Sequence, residues 1–78
     1  MRVEADDLCS HCRRLPAGNG MSIGDVLTTI YDDPEKWLPQ FGGYEGVFYG
    51  LNKIIVLGDG CTTCAEKVLR WGRELGLL

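Results

Sequence analysis

The sequence predicts a small α+β domain in which a two-stranded β-hairpin, a central helix and a C-terminal helix pack around four cysteines. Three observations predict it. Two Cys-x-x-Cys pairs stand near opposite ends of the chain, Cys9 with Cys12 and Cys61 with Cys64. Apolar residues recur at helical spacing in the middle and at the C-terminal end. Two runs rich in β-branched and aromatic residues lie just ahead of the second pair.

Taken in order, Asp6 to Arg14 carries the first pair between Leu8 and Leu15, and Pro16-Ala17-Gly18-Asn19-Gly20 reads as a loop from its Pro, Gly and Asn content. Ser22 with Asp25 three positions on is a helix start of the capping-box kind. Ile23, Val26, Leu27, Ile30 and Tyr31 then form one apolar face, predicting a helix over 23–31. Asp33-Pro34 opens a short turn that Pro39 stops, leaving Pro34 to Leu38, with Trp37 and Leu38 folded onto the core. Val47-Phe48-Tyr49 and Ile54-Ile55-Val56-Leu57, separated by Gly50-Leu51-Asn52-Lys53, predict the β-hairpin. Gly58-Asp59-Gly60 ends its second strand. Cys61, Cys64, Ala65, Val68, Leu69, Gly72 and Leu75 recur at three- and four-residue steps and predict a helix over 61–75, capped by Gly76.

With 78 residues, the chain is read as one domain, 1–78, and a domain this small buries only about 60% of its unfolded surface. Apolar packing alone leaves it marginal, so a staple is expected. A composition of 45% hydrophobic and 24% charged residues excludes a disordered tail. No apolar run reaches the roughly 18 to 20 residues of a membrane span. The acidic start, Met1-Arg2-Val3-Glu4-Ala5-Asp6-Asp7, is not a secretory signal, so a cytoplasmic location is expected.

In a reducing compartment four cysteines favour metal ligation over disulfides. Zinc in structural sites takes four ligands tetrahedrally, and two residues between paired cysteines let one short turn present both sulfurs to the same ion. Cys9, Cys12, Cys61 and Cys64 are therefore the expected ligands of one zinc ion. Iron is the less favoured occupant of the same sulfur tetrahedron. Two independent redox pairs and structural disulfides are the competing readings of the cysteines. The 48 residues between the pairs must belong to the domain that brings them together. The second pair falls at the start of the last helix, where unpaired backbone N–H groups favour thiolates.

A cysteine knuckle, then a β-hairpin, then a helix with the second pair in its first turn resembles the treble-clef zinc-finger group. The resemblance covers Cys9 to Cys12 and about Val47 to Leu75, with Ser22 to Leu38 as an insertion. It implies a scaffold that serves many unrelated functions.

A closed shell of four cysteines leaves no open position for hydrolysis, and no Ser-His-Asp or Cys-His set is apparent, so no enzymatic activity and no small-molecule substrate are expected. His11, the only histidine, reads as a solvent-facing knuckle residue. Gly42-Gly43 and Gly58-Asp59-Gly60 lack the spacing and lysine of a phosphate-binding loop and read as turns. Four thiolates and one divalent cation add two negative charges to the formal -3, giving about -5. With a pI near 4.9, this argues against general nucleic-acid binding. A local basic patch from Arg13, Arg14, Lys67, Arg70 and Arg73 keeps a nucleic-acid-binding finger as the alternative, and a thiol redox protein as a further one. The first expectation is a regulatory or accessory module that binds a protein partner. Trp71, at the margin of the last helix's apolar stripe, is its expected exposed anchor, and because alternation puts Val47 and Tyr49 on one hairpin face and Phe48 on the other, at least one of these rings is expected to point away from the core.

Overall fold

The computed structural model describes residues 2–78, so Met1 lies outside it. An extended start buries Val3 and leads into a 3-10 turn, Ala5–Asp7, whose Asp7 carboxylate accepts from the Glu4 N–H at 2.8 Å. Helix α1 is a single turn, Ser10–Arg13. Strands β1 (Pro16–Gly18) and β2 (Met21–Ser22) pair antiparallel, with Pro16 opposite Ser22. Asn19, at φ 54°, and its flanking glycines turn the chain between them in the left-handed region. Helix α2 (Ile23–Asp32) begins at the expected capping box: the Ser22 hydroxyl accepts from the Asp25 N–H and the Asp25 carboxylate from the Ser22 N–H, both at 3.1 Å. Helix α3 (Pro34–Trp37) starts at Asp33, and a 3-10 turn, Pro39–Phe41, follows.

Helix α4 (Gly43–Leu51) runs directly into a wide helical coil of i→i+5 type, Asn52–Asp59, which breaks at Gly58. Helix α5 (Thr62–Glu74) closes the chain. Its C-terminus carries both bonds of a Schellman motif, Leu77 N–H to Gly72 O at 2.9 Å and Gly76 N–H to Arg73 O at 3.0 Å, with Gly76 at φ 77°. The domain is thus small and mostly helical, with one two-stranded antiparallel hairpin.

That hairpin is not the expected one. The stretch read as strands, Val47 to Tyr49 and Ile54 to Leu57, is helical throughout, and Gly50 to Lys53, read as its turn, carries the helix onward. Burial explains why. Val47, Phe48, Leu51 and Ile55 are buried together at helical spacing, whereas alternation would have sent Phe48 and Val47 to opposite faces. Strand propensity is a weak preference that such packing overrides. The real strands lie in and just after the Pro16–Gly20 loop, and at two and three residues they are too short to show a period of two. The treble-clef resemblance rested on the hairpin at 47–57, and the element ahead of the last helix is a helix instead.

Trp71 is not exposed as expected but buried, at 1%. Its indole meets the Phe48 ring edge-on at 6.4 Å between centroids and the Tyr44 ring at 6.2 Å. Phe48 is fully buried as well, whereas Tyr49 is exposed, so one ring of this segment does point outward, from a helix rather than a hairpin. The large apolar side chains exposed among the described residues are Tyr44, Tyr49, Leu57 and Leu78. No helix among those residues is long and apolar enough to cross a membrane.

Candidate metal centre

Each cysteine pair sits on the first turn of a helix. Cys9 is the N-cap of α1 and Cys61 the N-cap of α5, and each sulfur accepts from the backbone N–H of the cysteine three residues on, at 3.4 Å in both. A cysteine sulfur here takes the role that a serine or aspartate oxygen plays in an ordinary cap. Two further bonds cross between the pairs: Cys9 N–H to Cys64 Sγ and Cys61 N–H to Cys12 Sγ, both at 3.3 Å. The four bonds form a closed circuit, 9 to 64 to 61 to 12 to 9, in which every cysteine donates once and every sulfur accepts once. Exchanging Cys9 with Cys61 and Cys12 with Cys64 maps the circuit onto itself, so the centre is built on a local two-fold relation between the two knuckles.

The sulfurs are spaced for one cation. Cys9 and Cys61 Sγ are 3.6 Å apart, Cys12 and Cys61 Sγ 3.8 Å, and all four lie within 4.8 Å of one another. A regular tetrahedron with a zinc–sulfur distance of about 2.3 Å has an edge of about 3.8 Å. All four thiols are free of disulfides. Cys12 and Cys64 are buried, Cys61 is half-buried and Cys9 is exposed.

The electrostatics are uneven. The Cys12 N–H bond holds the Cys9 thiol down at about 6, against the opposing effect of desolvation. Burial pushes Cys12 up to about 12 and also raises Cys64. At neutral pH these two inner sulfurs keep their protons, and a divalent ion held there would supply the charge that favours thiolates. Each anionic sulfur would then retain a backbone N–H that disperses its charge.

Contacts outside the cysteines fix the knuckles against each other. His11 Nε2 lies 2.8 Å from the Asp59 carbonyl oxygen, bridging α1 to the segment that leads into Cys61. His11 is exposed, as expected, yet it is a tie rather than a free surface group. Lys67 donates to the Asp7 carbonyl at 2.7 Å, joining α5 to the turn before the first knuckle. Gly60 sits so close to Ile55 that a Cβ would lie 2.4 Å from its side chain, which allows the chain to pass tightly into Cys61. The His11 and Lys67 ties were not readable from the sequence, because a backbone carbonyl acceptor carries no residue-type signal.

The basic residues do not gather as one patch. Arg13 and Arg14 line one surface depression with Ser22, Asp25 and Thr28, and Arg70 and Arg73 line another with Glu66 and Leu69. Arg13 reaches Asp6 at 4.0 Å, and Lys67 is engaged at Asp7. What the chain does bring together is a four-cysteine cluster compatible with a structural zinc site. No protein-family model, curated protein or solved structure matches this chain, so the centre is read from its own geometry.

Proposed function

We propose that Cys9, Cys12, Cys61 and Cys64 hold one zinc ion as a structural clasp, and that the chain is a non-enzymatic module that binds a protein partner. The closed circuit of N–H···S bonds around a tetrahedron of sulfurs carries the metal reading. It satisfies each sulfur as an anion and leaves no sulfur aimed elsewhere. Iron fits the same four sulfurs and is the lesser alternative. Elemental analysis of purified protein tests the site, with one zinc per chain as the expected result. A metal-free, fully folded protein would refute it.

The non-enzymatic reading is supported by the donor set, since four thiolates fill a tetrahedral ion and leave no position for a substrate or activated water. A protein partner is favoured over nucleic acid because the holo charge of about -5 is acidic and the arginines are divided between two depressions. Oligonucleotide binding that weakens steeply with salt would overturn that preference.

A further inference from the structure

We propose that Cys9 is the oxidation-sensitive vertex of this centre, and that a peroxide converts the metal clasp into a covalent one by joining Cys9 to Cys61. The proposal rests on the metal reading above. Backbone hydrogen bonding does not distinguish the four sulfurs, because each accepts one backbone N–H at 3.3 to 3.4 Å. Access does. Cys12 and Cys64 are buried and Cys61 is half-buried, whereas Cys9 is exposed. The two-fold relation that makes the knuckles equivalent in bonding is broken in exposure, and an electrophile arriving from solvent meets Cys9 first.

The chemistry closes without another reactant. The Cys9 sulfur attacks one oxygen of hydrogen peroxide, the O–O bond breaks, hydroxide leaves and Cys9 becomes a sulfenic acid, withdrawing one thiolate from the cation. The Cys61 thiolate, 3.6 Å away, then attacks the Cys9 sulfur, the S–O bond breaks and a second hydroxide leaves. Two thiolates have lost two electrons and the peroxide has gained them. A disulfide of about 2.0 Å requires the sulfurs to approach by about 1.6 Å. Only Cys12 and Cys64 would then remain to hold the cation, half the donor set of a structural zinc site. Because Cys9 and Cys61 belong to different knuckles, the new bond spans the same gap as the lost ion, and a dithiol reductant restores the thiolates for reloading.

The test uses the zinc-loaded wild-type chain, with metal content measured first. A chain that neither holds nor takes up metal refutes the underlying reading. In a loaded chain, limiting iodoacetamide followed by peptide mapping should label Cys9 at least about tenfold faster than Cys12 or Cys64. Hydrogen peroxide should release zinc to a chromogenic chelator in step with a Cys9–Cys61 linked peptide, reversed by dithiothreitol. Equal labelling of the four cysteines, first labelling at Cys61, or a Cys9–Cys12 linkage in a loaded chain would overturn this proposal while leaving the zinc reading intact.

Discussion

The imidazole of His11 reaches the backbone carbonyl of Asp59 across the metal centre, Nε2 to O at 2.8 Å. A carbonyl only accepts, so the proton is on Nε2. The bond ties the first knuckle to the residues entering the second, and replacing it should loosen the clasp without removing a ligand. His11→Ala should lose about 1 kcal/mol of stability. It should still bind one metal ion per chain, read by denaturant titration alongside elemental analysis.

Helices α4 and α5 meet where Gly72 faces the Phe48 ring, and a Cβ at Gly72 would stand 2.4 Å from two of its ring carbons. Phe48 is fully buried with its ring edge-on to Trp71, so moving it aside disturbs the core. Gly72→Ala should therefore cost about 1 to 3 kcal/mol through overpacking, despite alanine's better helix propensity. A melting curve for the variant that matches wild type would contradict this packing.

Cys12, pushed up to about 12, and Cys64, also raised, carry protons at neutral pH in the absence of metal. Zinc uptake at pH 7 should release at least those two protons. Calorimetry in buffers of different ionisation enthalpy measures the number. Since thiolates bind the ion and protons compete for them, affinity should fall as pH falls, and chelation should unfold the chain. Structural zinc sites contribute about 10 to 16 kcal/mol of apparent binding energy at neutral pH. Cys61→Ser should accordingly abolish the cooperative transition.

The Tyr31 hydroxyl oxygen is buried without a hydrogen-bond partner, and burial raises its ionisation to about 12. Tyr31→Phe removes the unsatisfied group and should be neutral or stabilising by about 1 kcal/mol at neutral pH. A raised pKa in the folded state means that the wild type is fully stabilised below about 10 and loses that contribution as pH rises toward 12. The variant has no such group. Its advantage should widen across that interval, measured by paired unfolding curves.

Features that depend on residues three or four apart were readable from the sequence. The Ser22 and Asp25 capping box, the Asp33-Pro34 start and the glycine stop at Gly76 all lie where side-chain spacing places them, within a residue or two. The four cysteines likewise come together. What failed depends on distant packing. A run such as Ile54-Ile55-Val56-Leu57 is compatible with either a strand or a wide helical coil, and its contacts with α5 decide between them. The burial of Trp71 has the same cause. Its position on the edge of the apolar stripe does not reveal that Phe48 and Tyr44 wait there to cover it.

The circuit of sulfurs brings Cys12 to Cys61 across the 48 residues between them, so a cation bound there would be the knot of a lariat. Closing a loop of 48 residues costs roughly 3 kcal/mol of chain entropy. An ion gripped first by one pair would meet that cost only when the second pair joins it, and that pair arrives as a tethered neighbour at a high effective concentration. A cut at the exposed Asn19–Gly20 turn falls inside the lariat. The severed pieces would each keep hold of the same knot, and the molecule would persist as two strands on one metal.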